Sequence, residues 1–520
     1  MSDCKVEVKS VSELQKMVRD LETVPDTIQR VQIAKKFIEE NLADQEEDTA
    51  GLIINISIKQ HFSFEKDVLN MLKKHYKQCH LEFLGKQKFK DTFGYIPAWY
   101  KYTDRGLKFM AGVLAAELAK EGTLISVASS YYQYQNGVYT ALSDESVNAL
   151  ILNKLLITEA NMYSVTDTAK QLQLLVRKDQ SELNVNPFLI NVKNGIYDVK
   201  NDILVDHDPS VLSTIQINAN YCETAECPRF LSWLFEAMNG DEGQVLLMQE
   251  VIGYCLTKNT DAQKCFILRG EAASGKSLFL NVLQDVLLGS QNASNIPWHR
   301  LKERFTVAEM QGKLINVFAD LPDERITDTG MFKALVGQDY VVGEKKHKDP
   351  FQFKSTAKML FSCNQMPQID GDNSDGTYRR LLIIPFLHSV PEEQRNPNLI
   401  HEFREEADGI LMFALEGLKR LISQNFKFSE TDVNRQELER YRYEGNPVFA
   451  FLHSSCEVAA DEYITTQDLY EEFRRFCTQN GFEDCAINKF VPQVKTYFPS
   501  VISKVDAKGQ KRILKGIKYQ

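Results

Sequence analysis

The sequence contains no apolar run long enough to cross a membrane, and it has few cysteines for its length. Ten of 520 residues are cysteine, which predicts free thiols in a reducing compartment and excludes a disulfide-built fold. The most apolar stretch, Met110–Ala119, is short and includes Glu117, whereas a spanning helix needs about 18 uninterrupted apolar residues. The N-terminus, MSDCKVEVKS, lacks an apolar signal core. We therefore expect a cytoplasmic protein with no membrane partner.

Paired metal-binding cysteines and an excess of positive charge are also missing. Only Cys222 and Cys227 lie close together, without a second pair at metal spacing, so we expect free thiols there and no zinc site. The net charge of −10 excludes a uniformly basic nucleic-acid coat but not a local basic surface. With 43% apolar and 25% charged residues, the chain has the composition of a globular protein, and its length suggests about three or four domains.

The order of local patterns predicts four regions. Residues 1–105 are mostly helical, and Gly51–Lys59 is either a short buried strand or a helix. Residues 106–235 combine helices with short hairpins, because Asn136-Gly137 and Asn194-Gly195 are two-residue hairpin turns. Residues 236–430 alternate apolar strands with helical patterns, as an α/β domain does. Residues 431–520 end in a small unit, starting at Asn446-Pro447, that is predicted to contain three helices followed by two strands.

The strongest local motif follows the apolar strand Cys265–Arg269 and precedes a helical pattern. It has the form GxxxxGK[ST], a loop whose backbone N–H groups surround phosphates at the N-terminus of a helix. In such a loop the lysine reaches the β- and γ-phosphates and the serine hydroxyl binds Mg²⁺. The sequence therefore predicts an ATP site formed by Gly270, Glu271, Ala272, Ala273, Ser274, Gly275, Lys276 and Ser277.

Three later strand ends supply the groups that nucleotide hydrolysis requires. The strand Leu314–Ala319 ends at Asp320, the expected Mg²⁺ carboxylate, and Asp323 or Glu324 could polarise the attacking water, although both could equally be solvated acids. The next strand, Lys358–Ser362, leads to Asn364, whose amide could orient that water. Arg379 and Arg380 stand just before the last strand, Leu381–Pro385. They are either surface charges or guanidinium groups that stabilise the transition state in the site of a neighbouring subunit.

Taken in order, these motifs resemble those of superfamily 3 AAA+ helicases. The resemblance also includes the segments Phe332–Asp339, Glu344–Lys348 and Arg379–Phe386. This ordered set of motifs is similar to the helicase half of phage and plasmid primase-helicases, to poxvirus-type helicases and to the Rep helicases of staphylococcal mobile islands. The Glu-Lys-Lys-His tetrad at residue 344 also occurs in the hairpin of polyomavirus large tumour antigens. The match is best over residues 236–425, and five ordered motifs carry it.

The resemblance implies a role for each matching residue and for the whole chain. Lys276 and Ser277 would bind ATP and Mg²⁺, Asp320 would take the Walker B position and Asn364 the sensor position. Arg379 or Arg380 would be an arginine finger that acts in the neighbouring subunit's site, and Lys333 would be a second basic residue facing that site. Lys345, Lys346 and His347 would lie on a channel hairpin that binds single-stranded DNA. The implied assembly is a homo-oligomer, a hexameric ring. Residues 131–235 resemble the region before the ATPase in this family, and residues 446–520 its winged-helix module.

The sequence departs from the family in two places. The family's phosphate loop carries a further glycine and an asparagine, at positions occupied here by Glu271–Ser274. No primase acids are found, because the one Asp-x-Asp near the front, Asp206-His207-Asp208, falls in a non-catalytic turn and is interpreted as structural. A separate primase or host replication proteins would then act as partners.

A basic tail stands out from the acidic remainder of the chain. Residues 486–520 carry seven lysines and Arg512 against Asp506, a net charge of +7, which leaves −17 on the rest. Because phosphate binding is local and driven by counterion release, this tail predicts duplex binding by a recognition helix and a wing. Its expected DNA contacts are Lys489, Lys508, Lys511 and Arg512. The alternative is a solubilising tail.

Two functions are compatible with these patterns. The first is an ATP-driven, ring-forming helicase and replication initiator of a mobile genetic element, bound to single-stranded DNA and to origin duplex. The second is an origin-binding or regulatory protein that uses ATP as a switch. A switch needs neither a trans-acting arginine nor a channel hairpin, so Arg379-Arg380 and Lys345-Lys346-His347 favour the motor.

Overall fold

The computed structural model describes residues 8–103, 106–156, 160–322, 325–326, 328–346, 349–369, 375–506 and 509–520. Two compact units make up the chain, residues 1–134 with 140–180 and residues 135–139 with 181–520. The finer division into four regions stays a prediction. In the described residues, no helix is both long enough and apolar enough to span a bilayer.

The first unit begins with helices that enclose their own core. Buried apolar side chains between Leu14 and Tyr76 form this core. The segment Gly51–Lys59, for which the sequence allowed a strand or a helix, is helical and includes a π-helical turn at Ile53–Ile58. The helices are α1 (Val11–Arg19), α2 (Thr27–Asn41), α3 (Glu47–Leu52), α4 (Lys59–Phe62) and α5 (Lys66–Phe93).

Residues 100–175, which include residues 135–139 of the second unit, mix helices with antiparallel strands. The first two strands form a hairpin, and the next three form a sheet whose predicted turn at Asn136-Gly137 is confirmed. The elements are β1 (Tyr100–Thr103), β2 (Gly106–Phe109), α6 (Ala111–Lys120), β3 (Leu124–Val127), β4 (Ser130–Gln135), β5 (Val138–Leu142), α7 (Asp144–Leu152) and α8 (Met162–Leu175).

The second unit opens with a three-stranded antiparallel sheet and continues into alternating strands and helices. The predicted hairpin between the first two strands is present, but its turn residues are Lys193 and Asn194, because Gly195 already pairs with Val192 in the sheet. The elements up to residue 336 are β6 (Leu189–Val192), β7 (Gly195–Asp198), β8 (Ile203–Val205), α9 (Pro228–Ala237), α10 (Glu242–Cys255), β9 (Cys265–Gly270), α11 (Lys276–Asn281), β10 (Ala293–Ser294), α12 (Arg304–Val307), β11 (Ile315–Phe318) and α13 (Gly330–Val336).

The α/β region closes with a hairpin, two further parallel strands and a helical layer. A π-helical segment, Val282–Leu288, extends α11. The elements are β12 (Tyr340–Gly343), β13 (Phe351–Lys354), β14 (Lys358–Cys363), α14 (Asp375–Tyr378), β15 (Leu381–Phe386), α15 (Leu399–Glu405), α16 (Ala407–Ser423) and α17 (Asp432–Gly445).

A five-stranded parallel sheet organises the α/β region. Its strand order is β10-β11-β14-β9-β15, and the four strands predicted from the sequence are confirmed within about one residue at each end. Alternate residues of β9 enter different cores, Phe266 and Leu268 on one face and Cys265 and Ile267 on the other. Both faces are therefore covered, as parallel sheets require. All five strands run in one direction, so their carboxyl ends share one edge.

The C-terminal residues form three helices and a three-stranded sheet of order β16-β18-β17. The strand β16 was missing from the sequence prediction, which placed only helices before the final strand pair. Its elements are α18 (Pro447–Ser455), β16 (Cys456–Thr465), α19 (Thr466–Asn480), α20 (Ile487–Tyr497), β17 (Ile502–Val505) and β18 (Arg512–Tyr519).

Candidate nucleotide-binding site

The phosphate loop connects the end of β9 to the start of α11, and close packing explains its two glycines. A Cβ on Gly270 would lie 2.1 Å from the carbonyl oxygen of Phe386, at the end of β15. Gly275 has a φ of +94°, and a Cβ there would lie 3.1 Å from the ring of Trp233. The loop therefore passes between a strand end and α9 without room for side chains at these positions.

The loop residues that depart from the family motif adopt a defined conformation. Ala273 has a φ of +60°, a left-handed geometry that glycine favours. Val390 N–H donates to the carbonyl oxygen of Ala273 at 3.1 Å, and Ser389 Oγ donates to that of Ala272 at 2.9 Å. The segment after β15 thus holds the loop in a left-handed turn without the glycine that the family carries.

Lys276 is buried at the base of the loop. Its ammonium Nζ donates to the carbonyl oxygens of Gly270 at 2.8 Å and Glu271 at 2.7 Å, and to Asn364 Oδ1 at 3.2 Å. Burial lowers the pKa of Lys276, and the nearby Asp320 carboxylate opposes that shift. The lysine, the amide and the acid predicted from separate motifs therefore lie in one place.

Asp320 follows β11 and is attached to the neighbouring strand β14. Its backbone N–H donates to Ser362 Oγ at 3.0 Å, and the N–H of Leu321 donates to the Ser362 carbonyl oxygen at 2.8 Å. Asp320 is exposed and lines the cleft beside the loop, so its carboxylate is accessible to a metal ion. Ser362 was not identified from the sequence, where it is one more residue of an apolar strand. Asp323 and Glu324 lie outside the described residues.

A cleft of about 450 Å³ opens from the loop. Ser277, Asp320 and Asn364 line it beside Lys276. The rest of the cleft lining comes from α9 and from the polar segment after β15. The sequence analysis did not identify these side chains because neither segment carries a motif. They include Arg229, Trp233, His388, Gln394, Arg395 and Asn396.

The residues of this cleft fit a nucleoside triphosphate with Mg²⁺. A loop of this kind, which leads from a strand into a helix, can present backbone N–H groups to an anion. Lys276 supplies a fixed positive charge, and Ser277 and Asp320 supply the oxygen ligands that Mg²⁺ prefers. At Asp206-His207-Asp208, His207 Nε2 lies 2.9 Å from the Val192 carbonyl oxygen, and the His207 ring packs over Gly137. The interpretation of that turn as structural stays a prediction.

The two arginines differ in their surroundings. Arg379 is exposed, whereas Arg380 is half-buried and donates to the carbonyl oxygen of Gly376. Burial and the neighbouring Arg379 lower the pKa of Arg380, and Asp339 partly offsets them. Neither arginine is among the described residues that line the cleft. In one chain, Arg380 is thus held by local contacts, while Arg379 extends into solvent.

Two of the three predicted channel residues are described, and they follow β12 in the connection to β13. Lys345 and Lys346 are exposed there. The Lys345 ammonium is 5.5 Å from the ring centroid of Phe351 and 3.3 Å from Gln311 Oε1. Lys333 is half-buried on α13. His347 lies outside the described residues.

Three of the predicted duplex contacts are described, one on α20, one in the turn before β18 and one at the start of β18. Lys489, Lys511 and Arg512 are exposed, and none of them forms an ion pair in the described part of the chain. Lys518, by contrast, pairs with Glu457 at 2.6 Å. The Asp506 carboxylate accepts N–H groups of the turn at Gln510 and Lys511. Lys508 lies outside the described residues.

Comparisons with known proteins agree with parts of this picture. Residues 87–239 match a family described as "D5 N terminal like", a range that includes residues 131–235, where the sequence resembles the region before the ATPase. Residues 268–380, from the phosphate loop to Arg380, match a family of unknown function, DUF5906.

A curated relative is the Acanthamoeba polyphaga mimivirus protein named "Putative helicase L207/L206", 26% identical over 214 residues. The match spans 39% of this chain and 22% of the mimivirus protein, so the chain covers about a fifth of its relative's length. Among solved structures, two of the C-terminal region of NrS-1, described as apo forms, are 12% identical, cover 78% of this chain and 98% of theirs, and have TM-scores of 0.45 and 0.44.

Proposed function

We propose that the protein is an ATP-driven DNA helicase and replication initiator of a mobile genetic element, with a superfamily 3 AAA+ core. The observation that carries this proposal is the meeting of three strand ends at one cleft. Lys276 contacts Asn364, and the same cleft contains the exposed carboxylate of Asp320. A phosphate-binding lysine, a metal-binding acid and a polarising amide are the groups that nucleotide hydrolysis uses.

Each residue has a task that its position supports. Lys276 holds the β- and γ-phosphate oxygens, and Ser277 with Asp320 holds Mg²⁺. Asn364, whose Oδ1 accepts a hydrogen bond from Lys276, orients the attacking water. When bound, MgATP supplies the phosphoanhydride bond whose hydrolysis drives movement. The strand of Asn364 lies between the phosphate-loop strand and the acid strand, so it can transmit the state of the cleft to β13 and the hairpin that precede it.

The basic elements divide the DNA contacts between them. The β12–β13 hairpin, with exposed Lys345 and Lys346, follows single-stranded DNA through a ring. The C-terminal region is a winged-helix domain in this proposal, since three helices and a strand pair with exposed basic residues suit a duplex. A homo-hexamer, with Arg379 entering the neighbouring cleft, completes the assembly.

The comparisons support this function at a coarser level. The mimivirus relative is named as a helicase, and the D5 N-terminal-like match, at residues 87–239, precedes the phosphate loop in the chain. The alternative is a nucleotide-dependent switch on origin DNA. An exposed Arg379 and a basic hairpin have no task in a switch, and they favour the motor.

The test is ATP hydrolysis by purified protein with and without single-stranded DNA. Lys276→Ala should abolish hydrolysis because it removes the charge that holds the phosphates. Exposed Lys302 gives the matched control, Lys302→Ala, which should keep wild-type turnover. Stimulation by single-stranded DNA supports a motor, and hydrolysis that DNA leaves unchanged supports a switch. Full turnover in Lys276→Ala would remove this cleft from the reaction.

A further inference from the structure

Three potential metal ligands meet on the N-terminal helices, in a part of the chain that carries none of the nucleotide-site motifs. Glu39 lies on α2, and His75 and Cys79 lie one turn apart on α5. Their ligand atoms all lie within 4.8 Å of one another. His75 Nε2 is 3.0 Å from Glu39 Oε1, and Cys79 Sγ is 3.7 Å from His75 Nε2.

These separations are close to the distances between ligand atoms around a tetrahedral zinc ion. With metal bonds of about 2.0 Å to nitrogen or oxygen and about 2.3 Å to sulfur, adjacent ligand atoms lie roughly 3.3–3.5 Å apart. The carboxylate–imidazole separation would have to widen slightly and the thiol–imidazole separation to shorten slightly. Both changes are within the reach of side-chain rotation, because Glu39 is exposed and the other two side chains are only partly buried.

The surrounding contacts hold α5 against the chain that follows α2. Tyr76 donates its hydroxyl to the carbonyl oxygen of Gln45 at 2.8 Å, and His80 Nδ1 lies 2.9 Å from the carbonyl oxygen of Ala43. The Tyr76 and His80 rings stack with centroids 5.4 Å apart. These two residues lie next to His75 and Cys79 in sequence, so the backbone that carries both helical ligands is fixed.

We propose that Glu39, His75 and Cys79 bind one Zn²⁺ ion, with water as the fourth ligand. A thiolate, an imidazole and a carboxylate are a ligand set that Zn²⁺ accepts, whereas Mg²⁺ prefers oxygen alone. Binding releases the Cys79 thiol proton to solvent. The ion joins α2 to α5 and so stabilises the helical unit. This site is independent of the ATP site and of the proposed function.

Cobalt substitution tests the site directly in the full-length protein. After treatment with a chelator, the wild type is titrated with Co²⁺, and the thiolate-to-cobalt absorption band in the near ultraviolet is recorded. We expect about one equivalent of Co²⁺ to produce the band, since one cysteine serves one ion, and Zn²⁺ to displace it. Cys79→Ser should abolish the band. Cys485→Ser, which removes another partly buried thiol, is the matched control and should keep it.

The carboxylate is tested by a variant that leaves the fold untouched. Glu39 is exposed, so Glu39→Gln should leave the circular dichroism spectrum unchanged while weakening Zn²⁺ affinity by at least about tenfold. No band in the wild type, or a band that survives in Cys79→Ser, would overturn the proposal. Unchanged affinity in Glu39→Gln would also overturn it, since the contact of Glu39 with His75 would then be an ordinary ion pair.

Discussion

At the scale of single residues, the most unusual charge in the molecule is a buried lysine at the start of β14. Lys358 is 2% exposed. Its ammonium donates to the carbonyl oxygens of Thr257 and Thr356 and lies 4.9 Å from the ring centroid of Tyr254. Burial lowers the pKa of Lys358 from 10.5 to about 7, an effect that Cys255 opposes and Lys258 reinforces.

This lysine should make stability depend on pH in the alkaline range. Between about pH 7 and pH 10.5 the unfolded chain binds the proton that folded Lys358 releases, so stability rises with pH across this window and is constant below it. Lys358→Met removes the titration. We therefore expect the melting temperature of the variant minus that of the wild type to be highest near pH 7 and to fall toward pH 10. Thermal unfolding across this pH range measures the difference.

Exposed Lys354, at the end of β13, provides the control for the titration. Lys354→Met should give a pH profile parallel to that of the wild type. The hydrogen bonds that Lys358→Met removes shift the whole curve and do not change its slope. If the Lys358→Met and wild-type profiles ran parallel, Lys358 would be charged in the folded protein throughout this range.

The residues of the nucleotide cleft show how far a sequence can predict a site. Lys276 and Asp320 were found because each belongs to a pattern that is continuous in the chain. Ser362 and Trp233 were not, because their roles arise only when β14 and α9 are placed beside the phosphate loop. The left-handed turn at Ala273 was also missed, since hydrogen bonds from a segment more than a hundred residues later impose it.

At the scale of elements, the basic β12–β13 hairpin and the basic C-terminal surface connect to different parts of the fold. The β12–β13 hairpin leads through β13 into β14 and so to Asn364 in the cleft, a short covalent path along which nucleotide state can act. The strands β17 and β18 instead belong to the C-terminal sheet with β16. We therefore expect the hairpin to serve translocation and the C-terminal surface to serve anchoring on duplex.

Separate substitutions should divide these two tasks. Lys346→Ala should stop fork unwinding and leave origin-duplex affinity nearly unchanged. The double variant Lys511→Ala/Arg512→Ala should weaken duplex binding and reduce the salt slope by about one unit for each phosphate that is no longer neutralised. It should keep basal ATPase and the unwinding of an artificial fork. Duplex affinity is measured against salt, and unwinding on a fork without an origin.

A lysine in the same C-terminal sheet gives the matched control. Lys518 is paired with Glu457, so Lys518→Ala should change neither duplex affinity nor its salt slope. A double variant that bound duplex normally and failed only on forks would contradict the winged-helix assignment. Equal decreases in affinity from all three substitutions would indicate a general charge effect.

The C-terminal elements also show why one strand escaped sequence prediction. The helices α19 and α20 were predicted because their apolar residues recur at helical spacing and Thr465 caps the first of them, accepting from Asp468 N–H at 3.1 Å. In β16 a register shift between Ala459 and Tyr463 interrupts the alternation. A bulge removes the period of two on which strand prediction depends.

At the scale of the whole molecule, the proposed ring depends on Arg379, which does not line the cleft of its own chain among the described residues. In the described residues the lysine and arginines that line the cleft are Lys276, Arg229 and Arg395, and Arg229 is paired with Glu402 at 2.7 Å. Arg379 is exposed elsewhere on the same chain. A ring, in which each subunit repeats the same contact with the next, would bring this guanidinium to the neighbouring cleft.

Mixing two inactive variants tests that arrangement. Arg379→Ala should lower hydrolysis by roughly 10³–10⁵-fold if it removes an arginine finger, and Lys276→Ala should be inactive. In a mixed ring, an Arg379→Ala subunit still has its phosphate loop, and a Lys276→Ala neighbour still supplies Arg379. Random assembly places both intact groups at about a quarter of interfaces, so equal mixing should restore up to about that fraction of wild-type hydrolysis.

The recovery should depend on subunit exchange and on the identity of the arginine. Mixing after the rings are cross-linked should restore nothing, because no new interface forms. Arg380 is held by the Gly376 carbonyl oxygen and faces Asp339 in its own chain, so Arg380→Ala should not be rescued by the Lys276→Ala subunit. Rescue of Arg380→Ala together with full activity of Arg379→Ala would transfer the finger to Arg380. Full activity of both single variants would leave the cleft complete within one chain, and the ring would then have no part in hydrolysis.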